Sequence, residues 1–405
     1  MTENPKTLVI VLTEKCNLKC PYCRASGGEG TKKLNFNFIK KAIDYFIEKG
    51  YDKPYIRVNF YAKGEPTTEF NLMKTTYKYL QSKTDKIKSS IFTNGVFSKK
   101  IAKWLSKNID MIDMSVDGYP KIQNKQRPLK NGNASSPIVE KNIKYFIRNG
   151  NYLRINSVIT NFSVHKQSEI LKYFYSLGVK KIIFTPVVIE GSCIENNIQY
   201  LDRKVFLDNF LKARELAEDF SISLTSGYRL LDRKTKKYCD LGHLFLLLPD
   251  NYISTCRAVV SKNAKNAEPF IIGKYDPIKD KIYIDEDKRK KLEKIDLYNF
   301  STCLKCPIKY KCAGGCLRQW KSFEKFFKTN KNSGEVKISG KPDKKVCGIK
   351  IDTVEKYKNY RIQKYEKNKI PYLGKKAFGY NYNMFFNKFK LYKTKNNQKI
   401  SGSSF

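Results

Sequence analysis

Apolar residues fall in two alternating patterns along the first half of the chain. Short β-rich runs occur at Leu8–Leu12, Tyr55–Tyr61, Ile87–Phe92, Met111–Val116, Tyr152–Ile159 and Lys181–Val187. Their Val and Ile content suits strands buried on both faces. Between them lie amphipathic stretches at Asn37–Glu48, Leu72–Gln81, Lys99–Lys107, Pro137–Asn149, Lys166–Leu177 and Lys204–Glu218. Gly150 and Gly178 follow two of these, where a helix end calls for positive φ. Six β–α units in series predict a parallel sheet with right-handed crossovers, and a partial (β/α)6 barrel fits better than a flat sheet. Chemistry then gathers at the C-terminal ends of the strands.

After about residue 220 this rhythm breaks. Cysteines bunch, regular strands are expected to thin out, and Lys/Gly/Asn-rich loops such as 329–345 intervene. The expectation is a barrel over 1–220, a small α+β unit held by metal over 221–350, and a basic aromatic helix or tail over 351–405. The longest apolar cluster, Leu244–Leu248, stops at Pro249, so no membrane span is predicted. The polar start, residues 1–6, lacks the regions of a signal peptide, and the expected compartment is the cytoplasm.

Charge changes the picture little. The 405 residues carry 79 Lys plus Arg against 38 Asp plus Glu, a formal charge of +41. Only 13 of the basic residues are Arg, the side chain best suited to bidentate phosphate recognition. Two readings stay open: a Lys-rich composition that reflects base usage, or an acidic peptide or nucleic-acid partner. From Lys369 onward the chain has eight Lys and no acidic residue, with aromatics from Tyr372 to Tyr392 interleaved. That mixture suits single-stranded nucleic acid, and equally an element packing its rings on the protein.

The cysteines change it most. Eleven in such a chain point to metal or catalysis rather than disulfides. Cys16, Cys20 and Cys23 stand in the loop after the first strand. Three thiolates leave one corner of a four-iron cluster without a protein ligand, so that iron stays open to a small chelating molecule. An incomplete zinc site is the alternative, although zinc knuckles usually pair two C-x2-C units.

The spacing C-x3-C-x2-C, with Tyr22 before the last Cys, resembles the radical S-adenosylmethionine (SAM) signature. Lys63-Gly64-Glu65-Pro66 after the second strand resembles the family's GGEP motif, with Lys63 for the first Gly. Met114-Ser115-Val116-Asp117-Gly118 after the fourth resembles its ribose-binding segment. The resemblance implies a [4Fe–4S] cluster held by Cys16, Cys20 and Cys23, and a SAM ammonium paired with Glu65 in the Gly64–Pro66 turn. It also implies ribose hydroxyls on Ser115 and Asp117, with Tyr22 beside the adenine. One electron delivered to SAM would yield a 5′-deoxyadenosyl radical that abstracts hydrogen from a substrate.

Cys239, Cys256, Cys303, Cys306, Cys312, Cys316 and Cys347 resemble the SPASM domain, which carries auxiliary [4Fe–4S] clusters. Asn251 stands where that pattern has Gly, and Asn also tolerates a left-handed backbone. The resemblance implies an outer cluster on Cys303, Cys306, Cys312 and Cys347, and an inner one on Cys239, Cys256 and Cys316. His243, an open iron or a substrate thiol could complete the inner set. Cys193, left over after the sixth strand, is either an inert thiol or a catalytic residue.

The family likeness implies an oxidoreductase that matures a ribosomally made peptide or protein by thioether or carbon–carbon cross-linking, or another oxidation. A low-potential donor such as a flavodoxin or ferredoxin would supply electrons. With the first strand expected from about Thr7, no leader-binding domain precedes the barrel. A leader would be bound by the barrel, the tail or a separate protein. One alternative is formylglycine formation as in anaerobic sulfatase maturases, but those place an acid after the Gly-x4-Cys cysteine, and here Arg257 follows Cys256. A nucleic-acid-binding or RNA-modifying protein is the other alternative.

Overall fold

The computed structural model describes residues 6–25, 30–227, 234–264 and 266–320, with positions 355 and 359 in addition. Cys347 and the basic aromatic tail lie outside the described residues. Strand β1 (Thr7–Val11) is buried at every position, as its unbroken apolar run requires. It is followed by α1 (Phe36–Glu48), β2 (Ile56–Tyr61), α2 (Phe70–Lys83), β3 (Ile87–Thr93), α3 (Lys99–Asn108), β4 (Met111–Ser115), α4 (Pro120–Gln126), α5 (Ser136–Arg148) and β5 (Tyr152–Ile159). Then come α6 (Gln167–Ser176), β6 (Lys181–Pro186), α7 (Ser192–Glu195), α8 (Arg203–Asp219), β7 (Ser223–Ser226), β8 (Leu244–Leu247), β9 (Tyr252–Ser254), β10 (Ile271–Asp276), β11 (Lys281–Ile284), α9 (Glu286–Glu293) and α10 (Lys309–Cys312). Asn35 caps α1 by accepting from the Asn37 amide, and Gly150 and Gly178 take φ of +66° and +83° at helix ends.

All eleven strands form one sheet in the order β11-β10-β9-β8-β1-β2-β3-β4-β5-β6-β7. The six expected strands are present, each within a residue or so, and run parallel. The thinning of strands after residue 220 is overturned. β7 adds a parallel strand beside β6, β8 adds one beside β1, and β9, β10 and β11 continue antiparallel. The run Leu244–Leu248 therefore makes a central strand. The sheet crosses the boundary expected near residue 220.

Because β1 to β7 lie in chain order, right-handed crossovers place their helices on one face. That face holds the main core, with Leu8, Ile10, Val58, Phe60, Ile91, Ile112 and Ile155 against Phe38, Phe46, Leu105 and Phe146. The opposite, inner face is apolar only under β1 and β8, where Val9, Val11, Leu244 and Leu246 cluster. Farther along it carries polar side chains. Asn59 Nδ2 donates to Ser90, Arg154 grips Asp113 with two nitrogens, and Thr185 Oγ1 donates to Asn156 at 2.8 Å.

A buried ionic network fastens α9 to the start of β1. Glu293 accepts from Lys6 at 2.7 Å and from Arg289, and Arg289 Nε donates to Glu286 at 2.7 Å. Tyr45 of α1 also donates to Glu286, at 2.5 Å. His243, weighed above as a cluster ligand, is buried here with Nε2 3.4 Å from Glu293. It precedes β8, whose Leu244 pairs with Thr7, so it sits at the opposite end of β1 from the cysteine loop.

Burial works against the charges of Glu286 and Glu293, but hydrogen bonds from Tyr45, Lys6 and Arg289 hold both carboxyls below their usual value. Burial pushes the His243 imidazole down. All three depressions mean that the unfolded chain binds more protons in acid, so stability is present at neutral pH. It falls as pH drops below about 6.5 for the imidazole, and is lost further as pH falls through the folded carboxylate values. Replacing the buried Arg289 with Met leaves two half-buried carboxylates without its charge. Urea unfolding at neutral pH should show a loss of roughly 1–3 kcal/mol, and the variant should lose less than the parent on acidification.

Candidate active site

The loop from Thr13 to Arg24 leaves the C-terminal end of β1, and it is secured by the loops that follow β2, β3, α4 and β6. After β2, Glu65 N donates to Lys15 O at 2.7 Å and Lys63 N to Thr13 O at 3.1 Å. The contact needs glycine at position 64, because a Cβ there would lie 1.9 Å from the Lys15 carbonyl oxygen. After β3, Asn17 Nδ2 donates to Val96 O at 2.8 Å and its own oxygen accepts from Asn94. After α4, Lys19 N donates to Pro128 O and Lys130 N to Asn17 O, both at 3.0 Å. After β6, Ser192 N donates to Cys23 O at 2.8 Å, and a Cβ at Gly191 would meet the Cys23 and Arg24 carbonyls at 2.6 and 2.5 Å. Substitution of Lys63 for the family's first Gly is accommodated, as Lys63 turns aside to Glu14 at 3.4 Å.

Within this frame Cys16, Cys20 and Cys23 are partly buried, and the ionisation of each is felt by its neighbours. Burial raises the Cys16 thiol, and burial pushes Cys20 up to about 12 against the opposing charge of Arg127. Thiols so disfavoured as free anions become ligands only if a cation takes the proton's place. Among the described residues no three His, Cys, Asp or Glu side chains gather as a site for a single metal ion. A four-iron cluster takes one thiolate per corner, so its ligands stand farther apart than those of a lone ion. The donor chemistry of the loop fits the cluster.

Glu65 lies beside the thiols and is 1% exposed. Oε1 accepts from Thr67 N at 3.1 Å, Thr67 Oγ1 at 2.7 Å and Thr93 Oγ1 at 2.7 Å, and Oε2 accepts from Asn94 N at 2.7 Å. Burial raises its pKa even so. Every one of these donors is neutral, and among the described residues no ion pair reaches this carboxylate. A buried carboxylate hydrogen-bonded on all sides yet lacking a counter-charge suits an ammonium ligand. Pro66 starts the short helical turn that Glu65 caps.

Asp117 is fully buried, and its carboxylate takes Tyr22 Oη, Gln126 Nε2 at 2.8 Å and Val158 N at 3.0 Å, with Arg127 Nε 2.9 Å away. Three hydrogen bonds and one ion pair thus hold this carboxylate. Tyr22 is buried against the same group, and Arg127 lies over its ring, 5.5 Å from the centroid. Burial disfavours the Arg127 charge, but Asp117, Tyr22 and Cys20 hold it above the usual value. Arg127 was missed in the sequence because it lies ten residues past the Asp117 turn. Ser115 is half-buried at the end of β4, opposite Asn156.

Cys193 is fully buried behind the loop, its thiol directed at the Tyr22 and Val188 carbonyls at 3.4 and 3.3 Å. That placement lets it brace the cysteine loop.

The C-terminal cysteines form a tight turn. Cys306 N donates to Cys303 O at 3.1 Å and Cys312 N to Ile308 O at 2.9 Å, then Ala313, Gly314 and Gly315 all take positive φ before Cys316. Asn251 also adopts φ of +67°, the left-handed turn expected of it. Burial raises the Cys256 thiol, which also feels the charges of Cys316, Arg318 and Arg24. Cys239 is exposed.

No helix among the described residues is long and apolar enough to cross a membrane. The sequence model of the Radical SAM superfamily matches residues 10–170. An uncharacterized protein of Methanocaldococcus jannaschii is 31% identical over 188 residues, 45% of this chain and 63% of that protein, so the match spans less than two thirds of the relative. A probable GTP 3′,8-cyclase of Methanococcus maripaludis is 30% identical over 218 residues, 50% of this chain and 70% of that protein. The structure of anSMEcpe with bound AdoMet and a peptide superposes with a TM-score of 0.64 at 18% identity, covering 90% of this chain and 99% of that one. Streptococcus suis SuiB bound to precursor peptide SuiA gives 0.55 at 18%, covering 80% and 73%. At these identities the two structures share a fold. The motif order, the parallel sheet with its thiol loop at the C-terminal end, and these matches agree: the chain belongs to the Radical SAM superfamily.

Proposed function

We propose that this protein is a radical SAM maturase acting on a peptide or protein, with Cys16, Cys20 and Cys23 as ligands of the catalytic cluster. The observation that carries the catalytic half is the buried Glu65 carboxylate beside the three thiols, surrounded by neutral donors alone. The cluster, with SAM bound, supplies reductive cleavage to a 5′-deoxyadenosyl radical able to abstract hydrogen. Glu65 receives the SAM ammonium, and Gly64 lets that turn sit flush on the cysteine loop. Arg127 sets a fixed positive charge beside Cys20, while Asp117 and Tyr22 hold that charge in place. Ser115 offers the polar contact at the β4 end.

The peptide half is supported by the fold shared with anSMEcpe and SuiB, both solved with bound peptides. In this reading Cys303, Cys306, Cys312 and Cys347 hold an outer auxiliary cluster, and Cys239, Cys256 and Cys316 an inner one, within a metal-stapled unit over 221–350. These clusters would accept the electron released as a product radical is oxidised. The partners are a precursor peptide and a low-potential electron donor. Formylglycine formation is disfavoured, because the side chain after Cys256 is Arg257, which cannot act as a base. A nucleotide substrate is the second reading, favoured by the match to a probable GTP 3′,8-cyclase.

Anaerobically reconstituted protein should hold about twelve irons if all three clusters have four. The combined Cys16/Cys20/Cys23→Ala variant should lose about four of them and all formation of 5′-deoxyadenosine. Iron assay and chromatography check this, and cleavage that persists in the variant sinks the catalytic assignment. Release of a GTP-derived product, with no reaction on candidate precursor peptides, would establish the second reading instead.

Glu65→Gln keeps the side chain's shape and removes its charge. SAM affinity measured by equilibrium dialysis should weaken by roughly 1–3 kcal/mol, the range for a hydrogen bond to a charged group. Unchanged affinity would reduce the Gly64–Pro66 segment to a turn.

A further inference from the structure

Arg127 is locked to the cysteine loop through its own backbone. It caps the C-terminal end of α4, where its N–H donates to Gln123 O at 2.7 Å and its carbonyl accepts from Ser135 Oγ at 2.6 Å. The two residues that follow it meet the loop directly. Leu129 forms an antiparallel bridge with Leu18, and Lys19 N donates to Pro128 O at 3.0 Å. Leu18 and Lys19 immediately precede Cys20. Backbone contacts therefore fix where the Arg127 side chain starts relative to the thiols.

The side chain is fixed as well. It is 8% exposed, with its guanidinium carbon 5.5 Å from the Tyr22 ring centroid and Nε 2.9 Å from Asp117 Oδ1. Asp117 offsets part of this charge, but at Cys20 the influence of Arg127 is the larger of the two. Arg127 also acts on Cys16, there against the carboxylate of Glu65. Net charge near an iron–sulfur cluster is one of the factors that set its reduction potential. An added electron makes a cluster on three thiolates one charge more negative. Where water is excluded, a fixed cation nearby stabilises that charge far more than it could in solvent.

We propose that Arg127 sets the reduction potential of the cluster held by Cys16, Cys20 and Cys23, its buried charge raising that potential and Asp117 trimming the effect. The proposal rests on the cluster assignment above and deepens it. The single electron comes from the low-potential donor and goes to the cluster. Arg127 itself gains and loses no proton, because a guanidinium stays charged in proteins. Its part is to make the transfer less uphill for the donor.

The test is an anaerobic redox titration of full-length reconstituted protein with dithionite, without SAM, followed by electron paramagnetic resonance. The signal to follow is the one that the combined Cys16/Cys20/Cys23→Ala variant lacks. In Arg127→Met its midpoint should fall, with about tenfold less reduced cluster at a given potential, or about 59 mV for a one-electron couple. Arg127→Lys keeps the charge and should stay near the parent value. Asp117→Asn keeps the shape, removes the anion and should move the midpoint up. Shifts of opposite sign are what a merely structural role would not produce, since a loosened site moves both variants the same way. If the Met variant holds no cluster, Arg127→Gln is read in its place, and if that is also empty the sign of the Asp117→Asn shift decides. Unchanged midpoints in loaded variants, or shifts of one sign, overturn the proposal. Failure of the underlying assignment shows separately, as a combined Ala variant with the iron content and signals of the parent.

Discussion

The rest of the site depends on how the backbone of the Thr13–Arg24 loop is satisfied. A loop carrying three thiols cannot be a regular element, so its amides and carbonyls need partners from elsewhere. They are found on the loops after β2, α4 and β6, which a parallel sheet delivers to one end, while the loop after β3 holds the Asn17 side chain. The tightest contact is at Gly64, where no side chain atom fits against the Lys15 carbonyl. Gly64, Glu65 and the cysteines are therefore one assembly: the backbone contact that shapes the cysteine loop also sets the carboxylate beside it.

Three buried carboxylates around this loop are treated in three ways. Asp113 is neutralised by the two-point grip of Arg154, and Asp117 by Arg127 with three further donors. Each is a finished structural unit, and breaking either would leave an uncompensated buried charge. Glu65 alone among these three relies on neutral donors. Burial of a lone charge costs several kcal/mol in real proteins, and four hydrogen bonds offset part of that. The local structure thus tolerates a deficit at one place, next to the thiols, where a cationic ligand would remove it.

Much of this was legible in the sequence. Unbroken Val/Ile runs and the Gly150 and Gly178 helix ends marked the six β–α units, because period and backbone freedom are local properties. The strands β8 to β11 were not legible, since Leu244–Leu248 reads as a bare apolar run and β9 has only three residues. β8 owes its strand character to pairing with β1, across more than two hundred residues, and β9 to β11 add on beyond it one after another. Motif residues were placed by resemblance to a known family, and the structure sets Glu65 near Cys16. Spacing could not show that Asp117 accepts from Tyr22, Gln126 and Val158. Nor could it show that Arg127, unremarked in any motif, supplies the buried cation there.

The same pairing changes what the C-terminal half can do. Because β8 lies against β1 and β9 follows within a few residues, Cys256 is set two residues beyond a strand of the central sheet. An independent metal-stapled domain on a linker could drift relative to the barrel. Here the sheet fixes Cys256, because β9 belongs to the same sheet as β1, which leads into the loop of Cys16, Cys20 and Cys23. The extra strands, invisible to local sequence patterns, are what join the two cysteine-bearing halves in one sheet.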